Sequence, residues 1–335
     1  MTVSAGHSSA LSRSPVPDAG KPARGFRPRP LDFSAKVRWR MRFDRNPLLV
    51  TLQDKYALRD YARLKGVQTA PLLYVTDRAE SIPFETLPPN YLIKANHGSG
   101  WNILGFGGRL YLFGNGARLV NPDGSFLNAQ AAAQNKLSRA ETTQLCNGWL
   151  ARTYARREWA YQQIRPRIVI EELLTPIDGT VLKDYRMYTF QGVVRAINVG
   201  SATYREAQEN IFLDPDWHEF QLTRRRENRP AVLPERPARL EEMVAVAQQL
   251  GADIDFARMD LYDTTRGIVA GEATVYPDAG KQDTPTACSV FNRWLGDQWQ
   301  LSNADLRKAW VWELVCRVRG WPRRIMRGLR GRRRA

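Results

Sequence analysis

The sequence has little cysteine and no long apolar run. Its three cysteines, Cys146, Cys288 and Cys316, lie far apart without paired spacing. A disulfide framework and a cysteine-based zinc site are therefore not expected. No apolar stretch approaches the roughly 20 residues that a spanning helix needs, and the first thirty residues lack the apolar stretch of a secretory signal. We therefore expect a cytoplasmic protein without a transmembrane segment.

The composition is that of a chain with a substantial core. Of the 335 residues 43% are hydrophobic, with 10 Trp, 12 Tyr and 12 Phe. Global disorder is excluded, and the length is enough for one large or two medium domains.

The net charge of +16 is confined to the two ends of the chain. Residues 1–45 hold ten basic and three acidic residues, and residues 314–335 hold nine arginines and no acid. The body, residues 46–313, has 31 basic and 31 acidic residues and is neutral. A nucleic-acid groove in the folded body is therefore not expected.

Apolar periodicity predicts a mixed α+β protein in which strands occur in adjacent pairs with helices between them. Segment 1–33 is predicted to be a disordered basic tail and 301–335 a basic amphipathic tail. Helices are predicted at 49–64 with Gly66 as the stop, within 128–163, and at 237–250 with Gly251 as the stop. Strands are predicted at 72–75, 91–94, 167–174, 256–262 and 268–275, with a pair over 185–199 joined around Gln191 and Gly192.

A first motif joins a lysine to a small-residue turn. Lys94 ends an apolar strand, and the segment Asn96–Asn102 that follows contains two glycines. An ammonium group and several backbone N–H groups in this arrangement can surround a phosphate, although the order is not that of a P-loop. An ordinary strand-to-turn junction with a solvated lysine fits the segment equally well.

A second motif is the strand pair 258–262 and 268–274. A register centred on residue 266 places Asp260 opposite Glu272, with Arg258 and Thr274 on the same face. Like charges in this position repel, and a divalent cation between them removes that cost; oxygen ligands favour Mg²⁺ or Mn²⁺. A solvent-exposed face, or a register slipped by one residue, remains the alternative.

A third motif is the strand 168–174, which contains Glu171 and Glu172 before two leucines. A strand that runs into a connector can offer backbone groups to an adenine, and a terminal Glu can accept hydrogen bonds from ribose hydroxyls. A plain buried strand with acids at its exposed end is the commoner structure for such a pattern.

Taken in order, these motifs resemble the ATP-grasp superfamily, and most closely its TupA-like proteins. The resemblance covers roughly residues 36–280. It rests on Arg45–Leu49, Asp54–Tyr56, Ile93–Asn102, Trp159–Tyr161, Ile170–Leu174, Asp184–Arg186, Arg258–Tyr262 and Gly271–Thr274.

The resemblance implies an ATP-grasp fold in which two α+β subdomains sandwich ATP. It assigns 34–90 to a small N-terminal region, 91–170 to the first subdomain and 171–300 to the second. The implied catalytic residues are Lys94 and Arg258; the implied ATP-binding residues are Lys94, His97, Gly98, Ser99, Gly100, Glu171, Glu172, Leu173 and Leu174; the implied metal ligands are Asp260, Glu272 and Thr274. A second ATP-binding lysine has no clear counterpart, with Lys136, Arg165 and Arg167 as candidates.

The implied activity is that of an ATP- and Mg²⁺-dependent (or Mn²⁺-dependent) carboxylate–amine ligase that works through an acylphosphate. Its expected substrates are a carboxylate-bearing sugar or peptide and an amine, in the synthesis of a cell-surface polymer. Two alternatives stay open: an inactive adaptor whose basic tails bind membrane or RNA, and a sugar or lipid-carrier kinase. The C-terminal tail fits an anionic membrane surface, which would make the protein peripheral on the inner face of the membrane; a packed last helix with a solvated tail fits equally well.

Overall fold

The computed structural model describes residues 31–113, 134–179, 182–201, 211–220, 233–281 and 289–315. Its helices are α1 (Phe33–Phe43), α2 (Leu48–Gln53), α3 (Ala57–Leu64), α4 (Arg139–Leu150), α5 (Trp159–Gln163), α6 (Leu240–Gly251), α7 (Ser289–Gln298) and α8 (303–315). Its strands are β1 (Gln68–Thr69), β2 (Leu72–Thr76), β3 (Tyr91–Ala95), β4 (Asn102–Phe106), β5 (Arg109–Leu112), β6 (Lys136–Leu137), β7 (Ile168–Glu172), β8 (Lys183–Phe190), β9 (Val193–Ser201), β10 (Ile211–Leu213), β11 (Phe256–Thr264) and β12 (Gly267–Thr274).

The first sheet is antiparallel, with the strand order β2-β7-β3-β4-β5-β6. Helix α4 contributes Cys146 and Trp149 to the core of this sheet, where they join Ile93, Ile103 and Ile170. The helix begins at a capping box in which the Ser138 side chain and Glu141 satisfy each other's backbone N–H groups. This local signal fixes where the helix starts over the sheet.

The second sheet has the order β1-β12-β11-β8-β9-β10, with β1 parallel to β12 and the other pairs antiparallel. One face packs against α6, where Met243 and Ala247 join Met187 and Met259 in the core. The opposite face changes character along the strands. At one end, Phe190 and Phe256 pack against Phe33 of α1, with ring centroids 6.2 and 4.9 Å away. Because side chains alternate with period two, the same face carries charged residues further along: Asp184, Arg186, Arg258 and Asp260.

The predicted mixed α+β class is confirmed, and so are the predicted strands and the β8–β9 hairpin around Gln191 and Gly192. Both turn residues have positive φ, 47° and 75°, as the tight turn requires. Predicted tail residues 1–30 and 316–335 lie outside the described residues. Residues 303–315 form a helix whose Ala309 is buried.

Two helix predictions are wrong in detail. The helix predicted at 49–64 is two helices, because Asp54 has an extended conformation and its carboxylate accepts a hydrogen bond from the Tyr56 N–H at 2.8 Å. The segment predicted as helical over 128–163 contains strand β6, helix α4, an irregular stretch and helix α5. Residues 128–133 lie outside the described part.

The predicted N-terminal region, 34–90, divides between the two sheets. Strand β2 pairs with β7 in the first sheet, whereas β1 pairs with β12 in the second. Helices α1, α2 and α3 contribute residues such as Phe33, Leu49 and Leu58 to the core of the second sheet.

The β11–β12 hairpin contains a bulge that the sequence analysis did not predict. From Thr264 opposite Gly267 to Leu261 opposite Ala270 the register is regular, and it then shifts so that Asp260 faces Glu272. Gly271 is the extra residue. A Cβ atom on Gly271 would lie 2.1 Å from Cε2 of Tyr262, so only glycine fits beneath this ring. The predicted pairs Asp260–Glu272 and Arg258–Thr274 are confirmed, and the bulge produces them.

Gly271→Ala should therefore lower the free energy of unfolding by about 1–3 kcal/mol, since the Tyr262 ring or the strand must move. Gly148→Ala in α4 is the matched control, because its Cβ would meet nothing within 4 Å. It should raise stability by about 0.5–1 kcal/mol through helix propensity. Urea titrations of the three proteins measure both effects, and equal stability of Gly271→Ala and the parent would contradict the packing argument.

Candidate functional site

The charged end of the second sheet carries a pair of adjacent carboxylates. Asp260 is 4% exposed, and both of its oxygens accept hydrogen bonds from Arg258, at 2.7 and 2.6 Å. Burial raises the pKa of Asp260 to about 7, while Arg258 opposes the rise. Burial acts in the same direction on Glu272, but Lys55 and Arg258 outweigh it and hold the pKa of Glu272 below its ordinary value. The protein thus holds two like charges together by surrounding them with cations.

The donor atoms on this face are hard oxygens. Thr274 Oγ1 donates a hydrogen bond to Glu272 Oε1 at 3.3 Å, so its oxygen lies beside the pair. Two carboxylates and a hydroxyl suit Mg²⁺ or Mn²⁺ better than zinc, because these ions prefer oxygen ligands. Arg258 forms an ion pair with Asp260 across 2.6 Å.

Three cationic side chains converge on the site from the first sheet and from the α2–α3 segment. Lys94 Nζ donates to Glu171 Oε2 at 2.6 Å, and Arg59 donates to Glu171 Oε1 at 2.6 Å. Lys55 Nζ donates to the carbonyl of Gly98 at 2.7 Å and lies 3.2 Å from Glu272 Oε2. Lys55 therefore links the Asn96–Asn102 loop to the carboxylate pair on the second sheet.

The Asn96–Asn102 loop is anchored at its beginning. Asn96 and His97 are 0% and 1% exposed. The His97 ring nitrogens lie 3.0 Å from Asn96 Oδ1 and 3.0 Å from the carbonyl of Trp149, and burial lowers the pKa of His97. A Cβ on Gly98 would lie 2.5 Å from the Trp101 ring, and Gly100 has φ of +73°. Both ring nitrogens of His97, which is predicted to contact ATP, thus have partners within the protein. The backbone of Gly98 to Gly100 follows this anchor.

The segment Glu171–Leu174, which is predicted to bind adenine and ribose, leads from the first sheet toward the second. Glu171 is buried beneath Lys94 and Arg59, while Glu172 pairs with Arg266 of the β11–β12 turn at 2.7 Å. Beyond Leu173 and Leu174 the chain follows the same turn, since Thr265 N–H donates to the Thr175 carbonyl at 3.1 Å. The connector from the first sheet therefore runs beside the end of β11.

The structure brings Lys94, Gly98, Glu171, Asp260 and Glu272 to one region between the two sheets, with Arg258 and Thr274 beside them. The three suggested second cations lie in different surroundings. Arg165 pairs with Asp77 on the surface, Arg167 lies over the Tyr56 ring at 4.7 Å, and Lys136 is exposed on an edge strand.

Sequence reasoning missed Arg59 and the role of Asp184. Arg59 lies in α3, but Lys55 lies in the break before that helix, so helical spacing gave no signal that would link the two. Asp184 is 6% exposed; its Oδ2 accepts a hydrogen bond from Arg186 Nε at 2.8 Å, and its Oδ1 has no hydrogen-bond partner among the described residues. Its charge contributes to the raised pKa of Asp260. A buried carboxylate oxygen without a donor is costly, so a bound ligand is the natural partner for it.

The family follows from a sequence comparison that covers more than half of the chain. Residues 114–300 match the model of the TupA-like ATP-grasp family. The chain belongs to the TupA-like ATP-grasp family, and its fold is the ATP-grasp fold. The matched range contains Glu171, Asp260, Glu272 and Thr274. Lys94 and the Asn96–Asn102 loop precede it, so their place in the site rests on the contacts described above.

Solved structures of ligases are similar at a distant level. D-alanine–D-alanine ligase from Bacillus anthracis complexed with ATP is 13% identical, with a TM-score of 0.41 over 78% of this chain and 68% of that one. L-amino acid ligase from Bacillus licheniformis is 12% identical, with a TM-score of 0.42 over 81% and 56%. D-alanine–D-alanine ligase from Helicobacter pylori is 13% identical, with a TM-score of 0.39 over 75% and 61%. No curated protein matches the chain. These similarities are too distant to transfer an activity or a site residue.

A further acid near the site titrates close to neutral pH. Burial raises the pKa of Glu158 to about 7, with Lys281 opposing the rise. Because the folded protein holds this proton more tightly than the unfolded chain, the contribution of Glu158 to the free energy of unfolding falls as the pH rises from about 4.5 to about 7.

Glu158→Gln removes this loss and should make the protein about 1–3 kcal/mol more stable than the parent at pH 8, with little difference at pH 4. Melting temperatures at the two pH values measure it; a gain that does not change with pH would argue for packing instead of ionisation.

Proposed function

We propose that the protein is an ATP-dependent carboxylate–amine ligase that forms an amide through an acylphosphate. The observation that supports this most directly is the juxtaposition of two side-chain sets between the sheets. Asp260, Glu272 and Thr274 lie on one face of the second sheet, and Glu272 is within ion-pair distance of Lys55. Lys55 in turn contacts the loop that follows Lys94. Phosphates and a divalent cation need these two kinds of group side by side.

In this proposal ATP lies along the connector. Glu171 to Leu174 provides the adenine and ribose end, and Lys94 with Arg59 provides the phosphate end. Both cations already bind one carboxylate, Glu171, at 2.6 Å, so they can bind another anion in its place. The backbone N–H groups of Gly98 to Gly100 lie beyond the anchored His97 and cover the phosphates.

Asp260, Glu272 and Thr274 would hold Mg²⁺ or Mn²⁺ in this proposal. The bound ion neutralises phosphate oxygens and orients them for transfer. Arg258 lies on the same face, and its guanidinium opposes the rise in the pKa of Asp260 that burial causes. Asp184 Oδ1, which lacks a partner among the described residues, is available for a hydroxyl or ammonium group of a substrate.

The proposed reaction has two transfers. A substrate carboxylate oxygen attacks the γ-phosphorus, the bond to the bridging oxygen of ADP breaks, and an acylphosphate forms. The nitrogen of the amine then attacks the carbonyl carbon, inorganic phosphate leaves with the bonding pair, and the nitrogen loses a proton. Arg258 is placed to stabilise the negative charge that develops on the carbonyl oxygen.

For the substrates we propose a carboxylate-bearing sugar or peptide and an amine, as in the synthesis of a cell-surface polymer. A kinase that phosphorylates a hydroxyl is the second candidate, because the same ATP site would serve it. An adaptor without catalysis is disfavoured, since Lys94, Asp260 and Glu272 are all present and meet in one site.

Nucleotide binding should depend on the two cations that share Glu171. ATP with Mg²⁺ should raise the melting temperature of the parent, and Lys94→Ala and Arg59→Ala should each remove most of that rise, because a charge-assisted contact to a phosphate is lost. Arg165→Ala is the matched control, since Arg165 pairs with Asp77 on the surface. Differential scanning fluorimetry measures the shift, and a full shift in Lys94→Ala would refute the assignment.

The ligase proposal is tested by release of ADP in a screen of uronic acids, amino acids and short peptides, alone and in pairs with amines. A ligase should release ADP only when a carboxylate and an amine are both present, and the product should gain the mass of an amide. Asp260→Asn and Glu272→Gln should reduce turnover by at least about 10³-fold without loss of the fold, which circular dichroism checks. ADP release with a hydroxyl substrate and no amine would establish the kinase instead.

A further inference from the structure

The last described helix presents apolar side chains to the solvent. Val311 and Leu314 of α8 are 55% and 50% exposed, and Phe43 at the end of α1 is 36% exposed. Val311 and Leu314 are three residues apart on one helix, so they lie on the same face. The buried face of α8 is the other one, with Ala309 and Glu313.

Aromatic and arginine side chains complete this surface. The rings of Phe43 and Trp312 meet edge to face, with centroids 5.8 Å apart. The Arg42 guanidinium lies 5.6 and 5.5 Å from the two ring centroids. We call Arg42, Phe43, Val311, Trp312 and Leu314 the basic apolar patch.

The acids near the patch are neutralised inside the protein. Glu313 is buried and pairs with Arg38 at 2.7 Å, and Asp44 pairs with Arg40 at 3.2 Å. Past Glu313 the sequence holds nine arginines and no acid to its last residue. The patch therefore combines exposed apolar groups with a positive charge that continues directly into the following segment.

We propose that the basic apolar patch docks the protein on an anionic lipid surface, with which the arginine-rich sequence past Glu313 is complementary in charge. Arginines satisfy lipid headgroup phosphates, while aliphatic and aromatic side chains enter the boundary between headgroups and acyl chains. A nucleic-acid backbone would use the arginines but leaves Val311 and Leu314 without a function. No helix among the described residues is long and apolar enough to cross a membrane.

The test is co-sedimentation of the full chain with phosphatidylcholine vesicles and with mixed phosphatidylcholine–phosphatidylglycerol vesicles. The parent should bind the mixed vesicles and not the neutral ones. Binding should weaken with salt, because the screening length falls from about 10 Å at 0.1 M to about 3 Å at 1 M. Val311→Ser/Leu314→Ser should bind at least about tenfold more weakly, since apolar area is lost without a change of charge.

Leu64→Ser/Val193→Ser is the matched control, because these aliphatic side chains are 77% and 38% exposed elsewhere on the surface. It should bind vesicles like the parent, and equal melting temperatures of all three proteins exclude a folding defect. Vesicle binding by Val311→Ser/Leu314→Ser that equals the parent's would overturn the proposal. Tighter binding of the parent to single-stranded RNA than to mixed vesicles would overturn it as well.

Discussion

The central constraint in this structure is that two carboxylates, the buried Asp260 and the half-buried Glu272, must face each other across one pair of strands. Directly opposed like charges destabilise a sheet, and burial increases the cost. The surrounding structure offsets it in two ways. Arg258 forms a two-point ion pair with Asp260, and Lys55 reaches Glu272 from a different element. The pKa of Asp260 is raised because burial outweighs the attraction of Arg258. The pKa of Glu272 is lowered because Lys55 and Arg258 together outweigh its burial.

The break between α2 and α3 allows the residues beside it to contact both the carboxylate pair and the loop on the first sheet. Three consecutive residues there join three parts of the molecule. Gln53 accepts a hydrogen bond from the Val275 N–H at the end of β12, Asp54 accepts one from the Asn96 side chain, and Lys55 contacts both Gly98 and Glu272. A continuous helix would point these side chains in directions 100° apart and could not serve all three. The interrupted helix thus fixes the loop on the first sheet relative to the carboxylates on the second.

Local patterns predicted the parts of the site that depend on short-range geometry. The pairing of Asp260 with Glu272 followed from the alternation of side chains and the position of the turn, even though it depends on an unpredicted bulge at Gly271. The contact between Arg59 and Glu171 could not be found in this way. Arg59 meets Lys94 only through Glu171, 112 residues from Arg59 along the chain, and nothing in the sequence near Arg59 specifies that contact. The burial of His97 could not be predicted for a related reason, since its contact with the Trp149 carbonyl depends on a helix some fifty residues away.

The shared carboxylate Glu171 also determines how a nucleotide would enter. Lys94 and Arg59 are not free cations that wait for a phosphate; each already makes a 2.6 Å contact with this buried acid. In the proposed site, phosphate binding would therefore exchange one anion for another, and its free energy would be a difference between two sets of charge-assisted hydrogen bonds. The polyanionic ligand has the advantage because it offers several oxygens and brings its own divalent cation, whereas Glu171 offers two. The same exchange would have a second consequence: once the two cations contact the phosphates, Glu171 would lose both partners while it remains buried. Glu171 would then have to accept a hydrogen bond from the nucleotide or move toward water, and the proposed phosphate site would thereby be coupled to the conformation of the connector that begins at this residue.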